Sequence, residues 1–329
     1  MGFLKKLFGN SENQFIDLVR AHENGEEWAT AEIQKMWESN DSTLLPRIFR
    51  AYVVIYKDAA MRGDRDAIIK YARGLEWSDR EEEALQWYMK LINQGDTDAM
   101  LELASDYTEY GGMGENDEER FRLIKNAAEM GNAEAQYKLA MKCGCVGDFL
   151  GENYWAQKSA ENGCPDGKLE YARVLRQELS ELIGYKKNMT QFTDSAIMEY
   201  ILKKYEIESP DDATEIISQL YFKAEQLNIE YLNEGESETG FSEAMKNLAY
   251  MYWHPTPPAF SPMPYLAAYY FYRDYYYFDS QPSYKNFERV VAEFDLPITG
   301  ETLQEWQETD IFTWAETHGN IGVQGVQTR

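Results

Sequence analysis

Three histidines and three cysteines are the first places to look for metal or nucleophilic chemistry in this chain of 329 residues. His22, His254 and His318 stand far apart in sequence, and none belongs to a ligand pattern such as His-Glu-x-x-His, so each reads as a surface or loop histidine. Cys143-x-Cys145 with Cys164 falls short of a zinc site, because the fourth ligand is missing and the spacing is not Cys-x-x-Cys. Cys143 and Cys145 are expected in the turn after one helix and Cys164 beyond the next. A helix of about 14 residues rises on the order of 20 Å, too far for a disulfide. No metal and no cofactor are expected. Gly111-Gly-Met-Gly114 lacks the preceding strand and the Lys-Ser/Thr of a phosphate loop, and reads as a turn between helices. Carboxylates are abundant, yet the sequence singles out no pair in an apolar setting. The chain is therefore read as non-enzymatic, with no catalytic residue named.

The elements that would position any site come from a repeat. Its frame is a glycine, a small residue four positions on, and an apolar-plus-small pair at offsets eight and nine: Gly63/Ala67/Tyr71-Ala72, Gly95/Ala99/Leu103-Ala104, Gly131/Ala135/Leu139-Ala140 and Gly163/Gly167/Tyr171-Ala172. A period of 32 to 36 residues predicts stacked helical hairpins, each burying its apolar face on its neighbours. The glycine ends one helix in a left-handed conformation. The acid at offset three, which is Asp66, Asp98, Glu134 or Asp166, enters the first turn of the next helix, where the helix dipole favours it.

Leu103-Ala104-x-x-Tyr107-x-x-Tyr-Gly111-Gly-Met-Gly114, followed by Phe121-x-Leu-Ile-Lys125-Asn-Ala-Ala128-Glu-Met-Gly131-Asn-Ala-Glu-Ala135-Gln136, resembles the Sel1-like repeat, a relative of the tetratricopeptide repeat. The pattern runs from Gly63 to Ala172. The resemblance implies an all-α, right-handed α-solenoid whose first helices line a concave face. It implies protein–protein interaction and scaffolding, not a catalytic residue set.

The rest of the chain is read against that frame as residues 1–50, N-terminal helices with a degenerate capping unit at Gly25; 51–176, the repeats; 177–253, divergent helical repeats; 254–317, a Pro-rich loop and an aromatic helical cap; and 318–329, a flexible tail. Ser11 to Gln14 reads as a capping box opening a helix through Val19, and Asp41-Ser-Thr43 with Pro46 as the next start. Val174 to Tyr205 predicts two helices broken near Lys186-Lys187-Asn188. Ser209-Pro-Asp-Asp212-Ala213 and Gly240 with Ala244 and Leu248-Ala249 read as further unit starts. His254 through Pro264 is too proline-rich for helix. Tyr265 to Phe278 is a helix with aromatics on every side, expected in a core or cap before a binding strip. Helices are expected over 284–294 and 303–317.

Net charge is −25, with 44% hydrophobic residues. That balance supports a packed core and excludes nucleic acid as a partner. It suits attraction of a basic protein, or simply solubility. Three cysteines and no long apolar leader predict a reducing, cytoplasmic compartment. Residues 1–9, with Lys5 and Lys6 among bulky apolar residues, read as a lead-in packing on the first repeat in preference to a membrane contact.

In the similar tetratricopeptide repeat, the stripe at offsets three, six, ten and thirteen faces the groove. Here it reads Asp66, Ile69, Arg73, Glu76; Asp98, Leu101, Ser105, Thr108; Glu134, Tyr137, Met141; Asp166, Leu169, Arg173, Arg176; and Glu243, Lys246, Tyr250, Trp253. Arg73, Asp98, Leu101, Glu134, Tyr137, Met141, Leu169, Arg173, Arg176, Tyr250 and Trp253 are the candidate partner-binding residues. Their apolar members either anchor a partner in a groove or pack between adjacent helices. The function expected is a bacterial immunity-type protein that binds and neutralises a basic partner or toxin. The alternatives are an adaptor joining proteins in a complex and, behind it, an enzyme with a C-terminal site.

Overall fold

The computed structural model describes residues 12–38, 43–108, 113–187, 195–254 and 262–318. The chain divides into two compact units, residues 1–135 and 136–329. The first contains α1 (Glu12–Glu23), α2 (Glu27–Glu38), α3 (Leu44–Arg62), α4 (Arg65–Glu76), α5 (Glu81–Ile92), α6 (Thr97–Asp106), α7 (Asp117–Glu129) and the start of α8 (Ala133–Cys145). The second holds the rest of α8, then α9 (Phe149–Glu161), α10 (Pro165–Lys186), α11 (Ser195–Lys204), α12 (Ala213–Glu234), α13 (Glu238–Trp253), α14 (Pro264–Phe278), α15 (Gln281–Glu293), α16 (Gly300–Glu308) and α17 (Ile311–Thr317). Among the described residues there is no strand. Within each unit, helices pack chiefly on neighbours in sequence, the connectivity of an α-solenoid of helical hairpins.

One junction recurs at each strong repeat. Gly63, Gly95, Gly131 and Gly163 all have positive φ, from +86° to +95°. The next residue's amide reaches back five positions to a carbonyl of the ending helix, as Asp96 N–H does to Leu91 at 3.2 Å and Asn132 N–H to Ala127 at 3.0 Å. That same next residue is the N-cap of the following helix. Asp64, Asp96 and Asn132 accept from the amides of Ala67, Ala99 and Ala135 at 2.9, 3.0 and 2.9 Å. Cys164 does the same through its sulfur, from Gly167 at 3.4 Å. The caps also tie repeats together in the first unit. Arg65 donates to Asp96 at 2.6 Å and to Asp98 at 2.9 Å, and its guanidinium holds Asp96 below the ordinary carboxylate range. Asn132 donates to Asp98 at 2.8 Å.

Helices α3 and α4 meet closely at Gly74. A Cβ there would lie 2.7 Å from the Phe49 carbonyl oxygen and 2.9 Å from the Val53 nitrogen, both backbone atoms of α3. Upstream, Glu23 of α1 accepts from Tyr52 at 2.8 Å and from Tyr56 and Lys70, joining α1, α3 and α4. Downstream, α4 ends in a buried acid. Glu76 is 3% exposed, and Asp106, which accepts from the Tyr88 hydroxyl at 2.9 Å, is 7% exposed. Burial first, then the Asp106 charge, pushes Glu76 from 4.5 up to about 9, offset only in part by Arg73. Arg73 itself is paired with Glu102.

In the second unit, α10 and α12 are each 22 residues long and pack together through Leu175, Leu179 and Leu182 against Ile217, Leu220 and Leu227. Helix α10 ends at Lys186, where the sequence suggested a break. Helix α11 is tied back by a buried ion pair. Lys204 donates to Glu178 at 2.9 Å, and Tyr205 donates to the same carboxylate at 2.6 Å. The C-terminal core is aromatic, with Phe271 and Trp306 sealed and Tyr269 edge-on to Trp306 at 5.5 Å. Tyrosines of α14 fill this core up to Tyr272, and Tyr276 and Tyr277 emerge to solvent.

Several local expectations are corrected. Cys143 and Cys145 lie inside the last turn of α8, not in the turn after it. Gly240 does not end a helix. It sits in the first turn of α13, capped by Ser237, and a Cβ there would fall 1.9 Å from the Tyr231 hydroxyl. Pro210 precedes α12 without entering it, and Asp212 takes the cap position. Pro264 does enter a helix, at the first position of α14, where a missing N–H costs nothing. The single helix expected over 303–317 is two, broken where Thr309 turns extended and Asp310 accepts from the Thr313 amide at 3.1 Å. The readings on Ser11, residues 1–9, Asp41, Gly111, the prolines before Pro262 and the tail after His318 lie outside the described residues.

Two outcomes are expected. Gly74→Ala should cost about 1–3 kcal/mol by overpacking against backbone that has no free rotamer, read as a lower denaturation midpoint with unchanged helicity. Glu76 keeps its proton in the folded chain at pH values where the unfolded chain has lost it, so its contribution is present below about 4.5 and declines as pH rises toward 9. Glu76→Gln should therefore flatten the fall in melting temperature between those values. An unchanged pH slope would show that Glu76 is ionised in the folded state.

Candidate functional site

The second unit contains an open pocket of about 660 Å³. Helix α8 supplies Tyr137, Met141, Gly144 and Cys145; the following turn supplies Gly147; α9 supplies Phe149 and Glu152. The far wall is Asp166, Leu169, Glu170, Arg173 and Gln177 of α10, closed by Ile197 of α11 and Glu243 of α13. Gly147, at φ +75°, turns the chain, and Asp148 caps α9 by accepting from the Gly151 amide at 3.0 Å. That turn brings α9 back beside α8.

Two glycines make the contact possible. A Cβ on Gly144 would lie 2.1 Å from the Glu152 carboxylate, and one on Gly151 would lie 2.8 Å from the Cys143 sulfur. Glu152 occupies the space that Gly144 leaves and reaches Arg173 on α10. Arg173 also donates to Glu170, from Nη2 at 2.8 Å and from Nε at 3.2 Å. One guanidinium thus serves two carboxylates, each 9% exposed in its side chain. For Glu152 it does not fully offset the cost of burial. Burial raises Glu152 above its ordinary value, Arg173 opposes that, and Glu170 adds to it.

Asp166 accepts from the Tyr231 hydroxyl at 3.2 Å, and Glu243 is exposed at the rim. The lining therefore carries four carboxylates, Glu152, Asp166, Glu170 and Glu243, against the single cation Arg173. Between them lies an apolar surface of Tyr137, Met141, Phe149, Leu169 and Ile197. The adjacent Cys143 thiol is pushed up to about 11, by burial first and the Asp148 charge next, so it stays protonated and is a poor nucleophile. Among the described residues no group of three or more His, Cys, Asp or Glu is placed to hold a metal ion.

The eleven candidate residues fall in both units. Tyr137, Met141, Leu169 and Arg173 come together in the pocket. Arg176, one turn on, is half-buried and donates to Asn247. Tyr250 is exposed and accepts from Asn286 at 2.7 Å, away from the pocket lining. Trp253 is not available to a partner. It is 3% exposed, and its indole N–H donates to Glu293 at 3.0 Å within the C-terminal core. In the first unit, Arg73 is spent on Glu102 and Asp98 accepts from Arg65 and Asn132, whereas Leu101 is half-buried and Glu134 exposed. Glu152 and Glu170 were not foreseen. The signal that could have found Glu152 is Gly144, a glycine set inside a helix between two cysteines, where close approach is the usual reason.

Among the described residues no helix is long and apolar enough to cross a membrane. No family model matches the chain, and no curated protein matches it. Among solved structures, it is similar to a protective antigen present in uropathogenic Escherichia coli strains and displaying an SLR fold, at 16% identity and a TM-score of 0.49. That likeness covers 97% of this chain, which spans 64% of the antigen's length. It is also similar to a Sel1 repeat protein from Oxalobacter formigenes, at 14% identity and a TM-score of 0.32, over 84% of this chain and 91% of that one. The first of these is described as displaying an SLR fold and the second as a Sel1 repeat protein.

Proposed function

We propose that the chain is a non-enzymatic protein–protein interaction module that binds a folded partner with a basic surface through the pocket of α8, α9, α10 and α13, in the manner of an immunity protein neutralising a toxin. The observation that carries this reading is the lining itself: four carboxylates around one arginine, beside an apolar wall that includes the exposed Met141. The net charge of −25 adds long-range attraction for a basic partner. The apolar wall supplies anchors, and the acids supply orientation. Adaptor function is the second reading, favoured by the division into two compact units.

Co-expression with the product of a neighbouring gene, followed by binding kinetics on the purified pair, tests the first reading. Rescue of cells from that product's toxicity is expected, with association that slows as salt rises from about 0.05 to 0.5 M, the range over which screening shortens the acidic field. Tyr137→Ala should weaken binding by on the order of 2 kcal/mol, the loss typical of a central aromatic anchor. Tyr137→Ala with Leu169→Ala should weaken rescue further. Full binding and protection by a folded double variant would remove the pocket from the interface and leave the adaptor reading in front.

A further inference from the structure

Three residues of the sequence stripe that the pocket does not use, Arg176, Lys246 and Tyr250, lie where α10 meets α13. Arg176 donates to Asn247 of α13, which sets its guanidinium beside the turn that carries Lys246 and Tyr250. Those two stand four residues apart, on one face of α13. Tyr250 accepts from Asn286 of α15 at 2.7 Å, and Arg289 of α15 donates to Asn286 at 3.4 Å while lying 4.9 Å from the centre of the Trp253 ring. Asn247, Asn286 and Trp253 are neutral, so they fix the two arginines in place without cancelling their charge. Among the described residues Arg176, Lys246 and Arg289 make no ion pair, and Glu243, which attracts Arg176, stays beyond ion-pair distance. Burial lowers Arg176 below its ordinary value, Glu243 opposes the fall and Arg173 adds to it. Of the five donors of a guanidinium, Asn247 takes one. Tyr250, having accepted from Asn286, keeps its own O–H to give. In a chain of 57 acids and 32 bases, this strip of donors lacks acceptors for a local reason: its anchors are amides and a ring.

We propose that the strip from Arg176 through Lys246 and Tyr250 to Arg289 receives an extended acidic peptide segment of a partner protein, with carboxylates three residues apart. The spacing follows from the helices. Helices in contact lie about 8–10 Å apart, and a polyproline-type chain brings every third side chain back to one face after about 9 Å. One carboxylate then meets Arg176, the next Lys246 with the Tyr250 hydroxyl, and the next Arg289. A guanidinium and a hydroxyl that already have fixed neighbours lose little freedom on binding, and each gains a charge-assisted hydrogen bond. A few acids separated by neutral residues suit a molecule of net charge −25, which repels the dense charge of a nucleic acid. This surface goes beyond the basic-partner reading, because none of its four donors lines the pocket.

The test titrates the full-length chain with three probes while the Arg176 Nε–H resonance is followed by NMR: the peptide acetyl-Glu-Pro-Pro-Glu-Pro-Pro-Glu amide, its glutamine counterpart, and inorganic phosphate. The glutamate peptide should shift that resonance saturably at about 0.02 M salt and lose most of its affinity by about 0.5 M. The glutamine peptide should leave the resonance in place, and phosphate should bind at least about 10-fold more weakly than the glutamate peptide, because a compact anion reaches one cation where the peptide reaches three. Lys246→Met combined with Tyr250→Phe, which keeps the apolar stem and the ring, should weaken the glutamate peptide by about 10-fold or more at an unchanged melting temperature. No shift with the glutamate peptide, an equal response to the glutamine peptide, or an undiminished response in the double variant overturns the proposal. Phosphate binding as tightly as the glutamate peptide overturns it too, since the strip would then be a site for a small anion.

Discussion

The structure depends on a single junction, a left-handed glycine followed at once by a helix N-cap. Every hairpin must reverse direction in very few residues, and the reversal leaves carbonyls unpaired at one helix end and amides unpaired at the next. Gly95 solves the first problem with a positive φ, and Asp96 solves the second with a side-chain acceptor. Arg65 then lays a charge across the caps of the next repeat. The capping residue Asp96 thus also joins a contact between successive repeats.

The same economy of space produces the pocket. Gly144 has no side chain, so the Glu152 carboxylate can lie against α8, and only then can it share Arg173 with Glu170. Removing one partner of such a buried group leaves charge uncompensated in a poorly solvated place, which is costly. The arrangement therefore holds α9 against α10 while presenting excess negative charge to the open side. In the proposed reading, recognition draws on the same carboxylates that hold these helices together.

The two units handle acidic charge in different ways. In the first, Glu76 and Asp106 are so enclosed that Glu76 keeps its proton, and the pair contributes no full complement of charge to the surface. In the second, burial also raises Glu152, but Arg173 lies beside it and Glu243 is exposed. A bulk count of acids cannot separate these cases, because the protonation state is decided by burial and neighbours.

The sequence by itself determined the helical class, the positions of the reversals and the first-turn acids, since these follow from local rules: glycine where φ must be positive, acids near a helix N-terminus, and apolar residues at helical spacing. It also placed Tyr137, Met141, Leu169 and Arg173 on one face of their helices, because spacing along a helix is a local quantity. It could not say which stripe members stay exposed. Trp253 has the same offset as a groove residue but is covered by Phe271 and Glu293, and Arg173 is occupied by a glutamate from a different helix. The close approach of Tyr231 to Gly240 likewise comes from another helix, whereas the split at Thr309 follows a local cap, Asp310 accepting from the Thr313 amide. Tertiary structure decided these points because exposure and pairing depend on what arrives from elsewhere in the chain, and that approach is governed by packing volume at positions such as Gly144 and Gly74, which no pattern of spacing records.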